Sequence, residues 1–111
     1  MKLDLSVIIL TYNESIHIER CINNVSEIAE TAFVVDSLST DNTVEISKCL
    51  GAQVFQNKWE GLYARQFNWA LENLPIKTEW VLRLDADEYL YPELIDEIKA
   101  KLASLPEDVT G

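Results

Sequence analysis

Trp80–Val81–Leu82–Arg83–Leu84–Asp85–Ala86–Asp87–Glu88 changes character halfway along its length. Val81, Leu82 and Leu84 leave only Arg83 polar in the first part, which reads as a buried strand. Three carboxylates within four positions follow, where such a strand would emerge from a sheet. Side chains two apart on an extended segment share a side, so the reading sets Asp85 and Asp87 converging and Ala86 turned away. Converging carboxylates repel unless a cation or hydrogen-bond donors lie between them. Hard oxygen ligands of this kind suit Mg²⁺ or Mn²⁺. The plain alternative is a solvated acidic turn; the long apolar lead-in favours acids held at one end of a sheet.

Outward from this stretch the same unit recurs. Leu5–Leu10 (LSVIIL) reads as a strand buried on both faces, followed by the polar loop Thr11–Glu14. Ile18, Cys21, Ile22 and Val25 form one apolar stripe on a helix over about Glu14–Val25. Thr31–Val35 is a second strand ending on Asp36, and Ser37–Asp41 is a turn dense in helix-capping residues. A second helix, with Val44, Ser47 and Leu50 inward, stops at Gly51. Ala52–Phe55 is a short third strand, and a loop with Trp59 follows. Gly61 opens a third helix, with Phe67, Ala70, Leu71 and Leu74 inward, and Pro75 ends it. After the acidic cluster, Pro92 suits the first position of a fourth helix with a Leu94, Ile98, Leu102, Leu105 stripe.

Four strand-then-helix units imply an α/β fold: a doubly wound, mainly parallel sheet with helices on both faces. Ligands in such sheets bind beyond the carboxyl ends of the strands. Thr11–Glu14, Asp36–Asp41 and Asp85–Glu88 therefore share one rim. The 111 residues read as one domain, with no internal linker. A net charge of −10 argues against a nucleic-acid partner, but admits an anionic small molecule bridged by a divalent cation. No apolar run approaches the roughly 20 residues of a membrane span. The start lacks a signal-peptide layout. Cys21 and Cys49 lack paired spacing and read as small buried or half-buried groups in a reducing, cytoplasmic compartment. The three glycines cannot build a phosphate-binding glycine loop.

Four segments, SVIILTYNE (Ser6–Glu14), VVDSLSTDNT (Val34–Thr43), ARQFNWAL (Ala64–Leu71) and WVLRLDADE (Trp80–Glu88), resemble family-2 glycosyltransferases in order and spacing. The resemblance covers nearly the whole chain and points to the nucleotide-sugar-binding half of a GT-A fold (Rossmann-like), as in bacterial enzymes that build lipopolysaccharide or other surface glycans. It implies a nucleotide-sugar donor, uridine diphosphate-linked, and a glycan or lipid-linked glycan acceptor. It also implies that Asp36 reads the uracil ring, Asp85 the ribose and Asp87 the Mg²⁺ or Mn²⁺ ion. Tyr12 either stacks on the base or is a loop aromatic. Thr11 and Asn13 either bond the base or cap the first helix, where Thr11 and Glu14 have capping-box spacing. Arg65 either reaches the base or diphosphate or is a solvated helix residue. Asp41 reads as a helix cap, Glu88 as a holder of a metal-bound water or plain surface, Trp59 as packing and His17 as solvent-facing. Leu38 departs from the family, which often has Gly there.

The family's catalytic base lies well after the acidic motif, and is expected beyond Gly111; Glu93, Asp96 and Glu97 lie on the polar face of the last helix. The chain alone is expected to bind nucleotide and not to transfer sugar, at the cytoplasmic side, peripheral to the inner face of a membrane. Two other classes remain open on the residues. One is a non-catalytic nucleotide-binding module. The other is a metal-dependent phosphatase, which usually carries its acidic pair after the first strand rather than the fourth.

Overall fold

The structure is a computed structural model, and it describes residues 3–59, 61, 63–88 and 90–104. The elements run β1 (Leu3–Thr11), α1 (Ile18–Val25), β2 (Ala29–Asp36), α2 (Thr43–Cys49), β3 (Gln53–Gln56), α3 (Tyr63–Asn73), β4 (Trp80–Asp85) and α4 (Pro92–Ser104). All pairings are parallel and the strand order is β3-β2-β1-β4. The chain thus winds outward from β1 through β2 to β3, then returns across the sheet to set β4 on the other side of β1. The expected fold class is found.

The alternation of β1 divides the core. Leu5, Val7 and Ile9 face the larger cluster, with Ile18, Cys21, Ile22 and Val25 of α1 and Ile95 of α4. Ile8 and Leu10 face the smaller one, with Phe33, Val35, Ala70 of α3 and Leu74 just after it. Ser6, the one polar residue inside this apolar run, is 1% exposed, and its hydroxyl shares a 2.6 Å hydrogen bond with that of Thr78. A buried hydroxyl with a partner avoids the cost of an unpaired one.

Several expectations need correction. In β4 only Leu84 is buried; Trp80, Val81 and Leu82 are half-buried, because β4 is an edge strand paired with β1 alone. The inward face of α3 carries Gln66, while Leu71 is exposed. Gln66 is tolerated there because its amide is fully used. It accepts from Asn57 Nδ2 (2.8 Å) and donates to the Asn57 carbonyl (3.1 Å) and Ser37 Oγ (3.1 Å). On α4, Ile95 is buried and Leu94 exposed, so the stripe is Ile95, Ile98 and Leu102. Leu105 lies outside the described residues. Cys49 is exposed, Cys21 is buried, and both are free thiols. No helix among the described residues is long and apolar enough to cross a membrane.

Candidate functional site

The carboxyl ends of β1, β2 and β4 meet at one rim. Thr11 is the register partner of Asp36, and Leu10 that of Asp85. The ladder continues past the strands: Ser37 N–H donates to the Thr11 carbonyl and Asn57 N–H to that of Asp36, both at 2.9 Å.

Asp36 is completely buried, and its carboxylate collects donors from three segments. Oδ1 accepts from Thr11 Oγ1 (2.7 Å) and from the Ser39 hydroxyl; Oδ2 accepts from Ser39 N–H (2.7 Å) and, at 3.3 Å, from Gln56 Nε2. The loops after β1 and β2 are further zipped together. Asn13 N–H donates to Ser39 Oγ, and Asn13 Oδ1 accepts from Thr40 N–H, both at 2.8 Å. Glu14 N–H donates to Thr43 Oγ1 (2.9 Å) and Ser15 N–H to Asp41 Oδ2 (3.2 Å). The capping box of Thr11 and Glu14 is not formed, because the Thr11 hydroxyl serves Asp36 and the Glu14 carboxylate meets His17 Nδ1 at 2.9 Å. Helix α1 accordingly begins at Ile18, later than its apolar pattern suggests, after a turn in which the Glu14 carbonyl accepts from His17 and Ile18.

Asp41 stands one residue before Asn42, the N-cap of α2, and its side chain holds the first helical residue. Its Oδ1 accepts from both the N–H and the hydroxyl of Thr43. Burial acts to raise its carboxyl, but the bonds from Thr43 and Ser15 outweigh that and hold it below its ordinary value. Leu38 has a φ of +62° and an exposed side chain. The turn keeps the left-handed conformation and leucine bears the strain of it.

Strand β4 stops at Asp85, and Ala86–Asp87 form a turn with Ala86 buried. Strand alternation therefore does not relate Asp85 to Asp87, which lies in the turn; both line the same cleft. Glu88 Oε1 accepts from Asp85 N–H (2.8 Å) while Glu88 N–H donates to the Asp85 carbonyl (2.9 Å). Glu88 thus closes the turn rather than standing as plain surface. Asp85 Oδ1 has no exposed surface and, among the described residues, no hydrogen-bond partner. Burial, then the charge of Glu88, pushes the Asp85 carboxyl above its ordinary value; Arg83 pulls the other way, and Asp87 and Glu14 add to the rise. Among the described residues no three His, Cys, Asp or Glu side chains already form a metal cage. The residues nonetheless fit a divalent cation: a buried, unpartnered carboxylate oxygen within a field of like charge is the kind of group a cation satisfies.

A cleft of about 660 Å³ opens over this rim, lined by Leu10, Thr11, Tyr12, Glu14, Ser37, Lys58, Trp59, Asp85, Ala86 and Asp87. Of the residues singled out from sequence it brings together Thr11, Tyr12, Asp85 and Asp87. Asp36, Asn13 and Arg65 are not among its described lining residues; Asp36 is buried, and Asn13 and Arg65 are exposed. Sequence reasoning missed Lys58, Ser37 and the lining role of Trp59. The available signal was position: Lys58–Trp59 follow the carboxyl end of β3, where such sheets place ligands. The lining sets one cation, Lys58, against the acids Glu14, Asp85 and Asp87.

The architecture is that of the GT-A glycosyltransferases, a Rossmann-like class. Glucosyl-3-phosphoglycerate synthase from Mycobacterium tuberculosis, solved with Mn²⁺, uridine diphosphate and glucosyl-3-phosphoglycerate, superposes with a TM-score of 0.64 at 21% identity, over 77% of this chain and 35% of that one. The same enzyme has been solved with Mg²⁺ and uridine diphosphate. The chain belongs to glycosyl transferase family 2, whose sequence model matches residues 6–111. It is 47% identical over 104 residues to a protein of Rickettsia bellii named as an uncharacterised glycosyltransferase, covering 94% of this chain and 34% of that protein. It is 30% identical over 115 residues to the lipopolysaccharide core biosynthesis glycosyltransferase LpsC of Rhizobium meliloti, covering 99% of this chain and 41% of that protein. The chain thus spans about a third of the length of the Rickettsia relative.

Proposed function

We propose that this chain is the donor-binding part of a glycosyltransferase that moves a sugar from a uridine diphosphate sugar to a glycan or lipid-linked glycan acceptor of a bacterial surface polysaccharide or lipopolysaccharide. The observation that carries the reading is the buried, unpartnered Oδ1 of Asp85 at the end of β4, in the same cleft as Asp87. A purely structural turn has no reason to leave that oxygen unsatisfied among like charges.

In this reading Tyr12 offers the base an exposed aromatic face. Asp36 accepts the base N–H at Oδ2 in place of the long Gln56 contact, and Thr11 and Asn13 hold the loop beneath. Asp85 takes the ribose, and Lys58 and Arg65 approach the diphosphate from the α3 side. Asp87, with Asp85 beside it, holds Mg²⁺ or Mn²⁺. When bound, that ion offsets the charge of the diphosphate and steadies it as a leaving group. This explains how a chain of net charge −10 receives an anionic donor. The M. tuberculosis enzyme's complexes with Mn²⁺ or Mg²⁺ and uridine diphosphate support the choice of ion and base. The likeness to LpsC supports the choice of pathway. Acceptor activation needs a general base facing the acceptor hydroxyl. We place it outside residues 3–104 and on the cytoplasmic side of the membrane.

The test is a calorimetric titration of UDP, CDP and GDP into this chain, with and without Mn²⁺. UDP binding strengthened by the metal is the expected result; equal, metal-independent binding of all three would leave only a general nucleotide-binding module. A radiolabelled UDP-sugar assay should show no transfer to acceptor by this chain alone.

A further inference from the structure

The acidic turn is held from beneath by α1. Leu90, two residues past Glu88, is 5% exposed, and both of its backbone polar groups end on one side chain. Its N–H donates to Asn24 Oδ1 at 2.7 Å, and its carbonyl accepts from Asn24 Nδ2 at 2.9 Å. Asn24 is itself buried, 66 residues away in the chain. One turn earlier on the same face, Arg20 Nη2 reaches the Asp87 carbonyl at 3.4 Å. Cys21, next to Arg20, is fully buried, and Glu88, Asp87 and Asp85 all contribute to its electrostatic surroundings. These contacts seize the turn by its backbone and do not use the Asp87 carboxylate.

A primary amide can serve a backbone N–H and a backbone carbonyl of one residue at once, through separate acceptor and donor atoms. It does here what a neighbouring strand would do, at a place where β4 has ended. Carboxylates that bind metal need such support, because a ligand free to swing must be ordered by the ion itself. We infer that Asn24 is a positioning residue for the metal-side carboxylate: by clamping Leu90 to α1 it fixes where Asp87 stands relative to Asp85 before any ion arrives. The inference rests on the reading of Asp87 as the metal ligand proposed above.

The test uses Asn24→Ala and Asn24→Asp, with Val25→Ala as a control. Val25 is also buried, at 0% exposure, on the same helix but belongs to the apolar core. Mn²⁺ affinity is measured by calorimetry at saturating UDP, and UDP affinity is measured separately in chelator. Asn24→Ala is expected to weaken Mn²⁺ by about 10- to 100-fold and to leave metal-free UDP binding unchanged. Asn24→Asp keeps the acceptor for Leu90 N–H and loses the donor, so it should fall between Asn24→Ala and the unaltered chain. Val25→Ala should lower the melting temperature without touching Mn²⁺ affinity. Wild-type Mn²⁺ affinity in folded Asn24→Ala, or parallel losses in Val25→Ala, would overturn the inference. Amide exchange at Leu90 in the unaltered chain needs no variant. Protection should already be present without metal, and protection that arises only with Mn²⁺ and UDP would show the clamp following the ion. Absence of any Mn²⁺ effect on the unaltered chain would instead sink the reading of Asp87 itself.

Discussion

Thr11 and Asp36 are paired twice, once as register partners across β1 and β2 and once through a 2.7 Å bond from the Thr11 hydroxyl to Asp36 Oδ1. A carboxylate with no exposed surface depends on such donors. Thr11→Val keeps the β-branched shape and removes the donor. A hydrogen bond to a charged group is worth about 1.5–3 kcal/mol, so the urea midpoint should drop accordingly with an unchanged slope. A loss well below that range would mean that water or Ser39 takes over the vacated place.

The same carboxylate offers a test of base choice. If Oδ2 exchanges its long contact with Gln56 for a base N–H, Asp36→Ala should weaken UDP by about tenfold to a hundredfold and CDP by less. Competition binding, performed well below the variant's melting temperature, separates the outcomes. Equal losses for the two nucleotides would leave Asp36 as a strut of the rim only.

Asp85 should behave as a cost to the empty protein. Its carboxyl is raised in the folded state by burial and by the charge of Glu88, against Arg83. Between the ordinary carboxylate value and the raised one the folded protein holds the proton more firmly than the unfolded chain. Stability therefore falls as pH rises through that window, and the penalty is complete above it. Asp85→Asn should melt higher than the unaltered chain at neutral pH, and the gap should close in acid, where both states are protonated. Addition of Mn²⁺ with UDP should stabilise the unaltered chain and not the variant.

Asp87→Asn separates metal from nucleotide. The amide keeps the size of the side chain and removes its charge, so metal-free UDP binding should persist while the Mn²⁺-dependent gain disappears in the same titration. Retention of the full gain would move the ion to other ligands.

How much of this was legible beforehand depended on the range of the interaction. Apolar runs and turn residues sufficed for four strand–helix units and for the rim, because both are local patterns. The edge position of β4 was not legible, since Val81, Leu82 and Leu84 suit a central strand and Arg83 alone is polar. The rotation of α4 was ambiguous: Ile98 and Leu102 complete a stripe with either Leu94 or Ile95. Gln66, Lys58 and the four donors around Asp36 were hidden for a different reason. Most acquire their role from residues that the fold brings close, on which local periodicity is silent; Ser39, three residues from Asp36, is the local exception.

Leu38 is the place where a local rule is broken. A left-handed conformation costs a residue with a Cβ about 1–2 kcal/mol, and glycine returns some of that as unfolded-state entropy, about 0.4–1 kcal/mol. Leu38→Gly should therefore raise stability by about 1 kcal/mol or less, read from the urea midpoint. A clear loss would show that the exposed leucine makes a contact worth more than its strain.

The return of the chain from β3 across the sheet to β4 also sets an order of assembly during synthesis. One side of β1 can pair as soon as β2 leaves the ribosome. Its other side waits for a strand that ends at Asp85. Until then the nascent chain presents a long apolar strand with a free ladder of hydrogen-bonding groups, an invitation to wrong partners. The strand that relieves this exposure is also the one that delivers Asp85 and the turn behind it. A ribosome-bound chain halted before Trp80 should accordingly draw chaperones, and release them once β4 has docked.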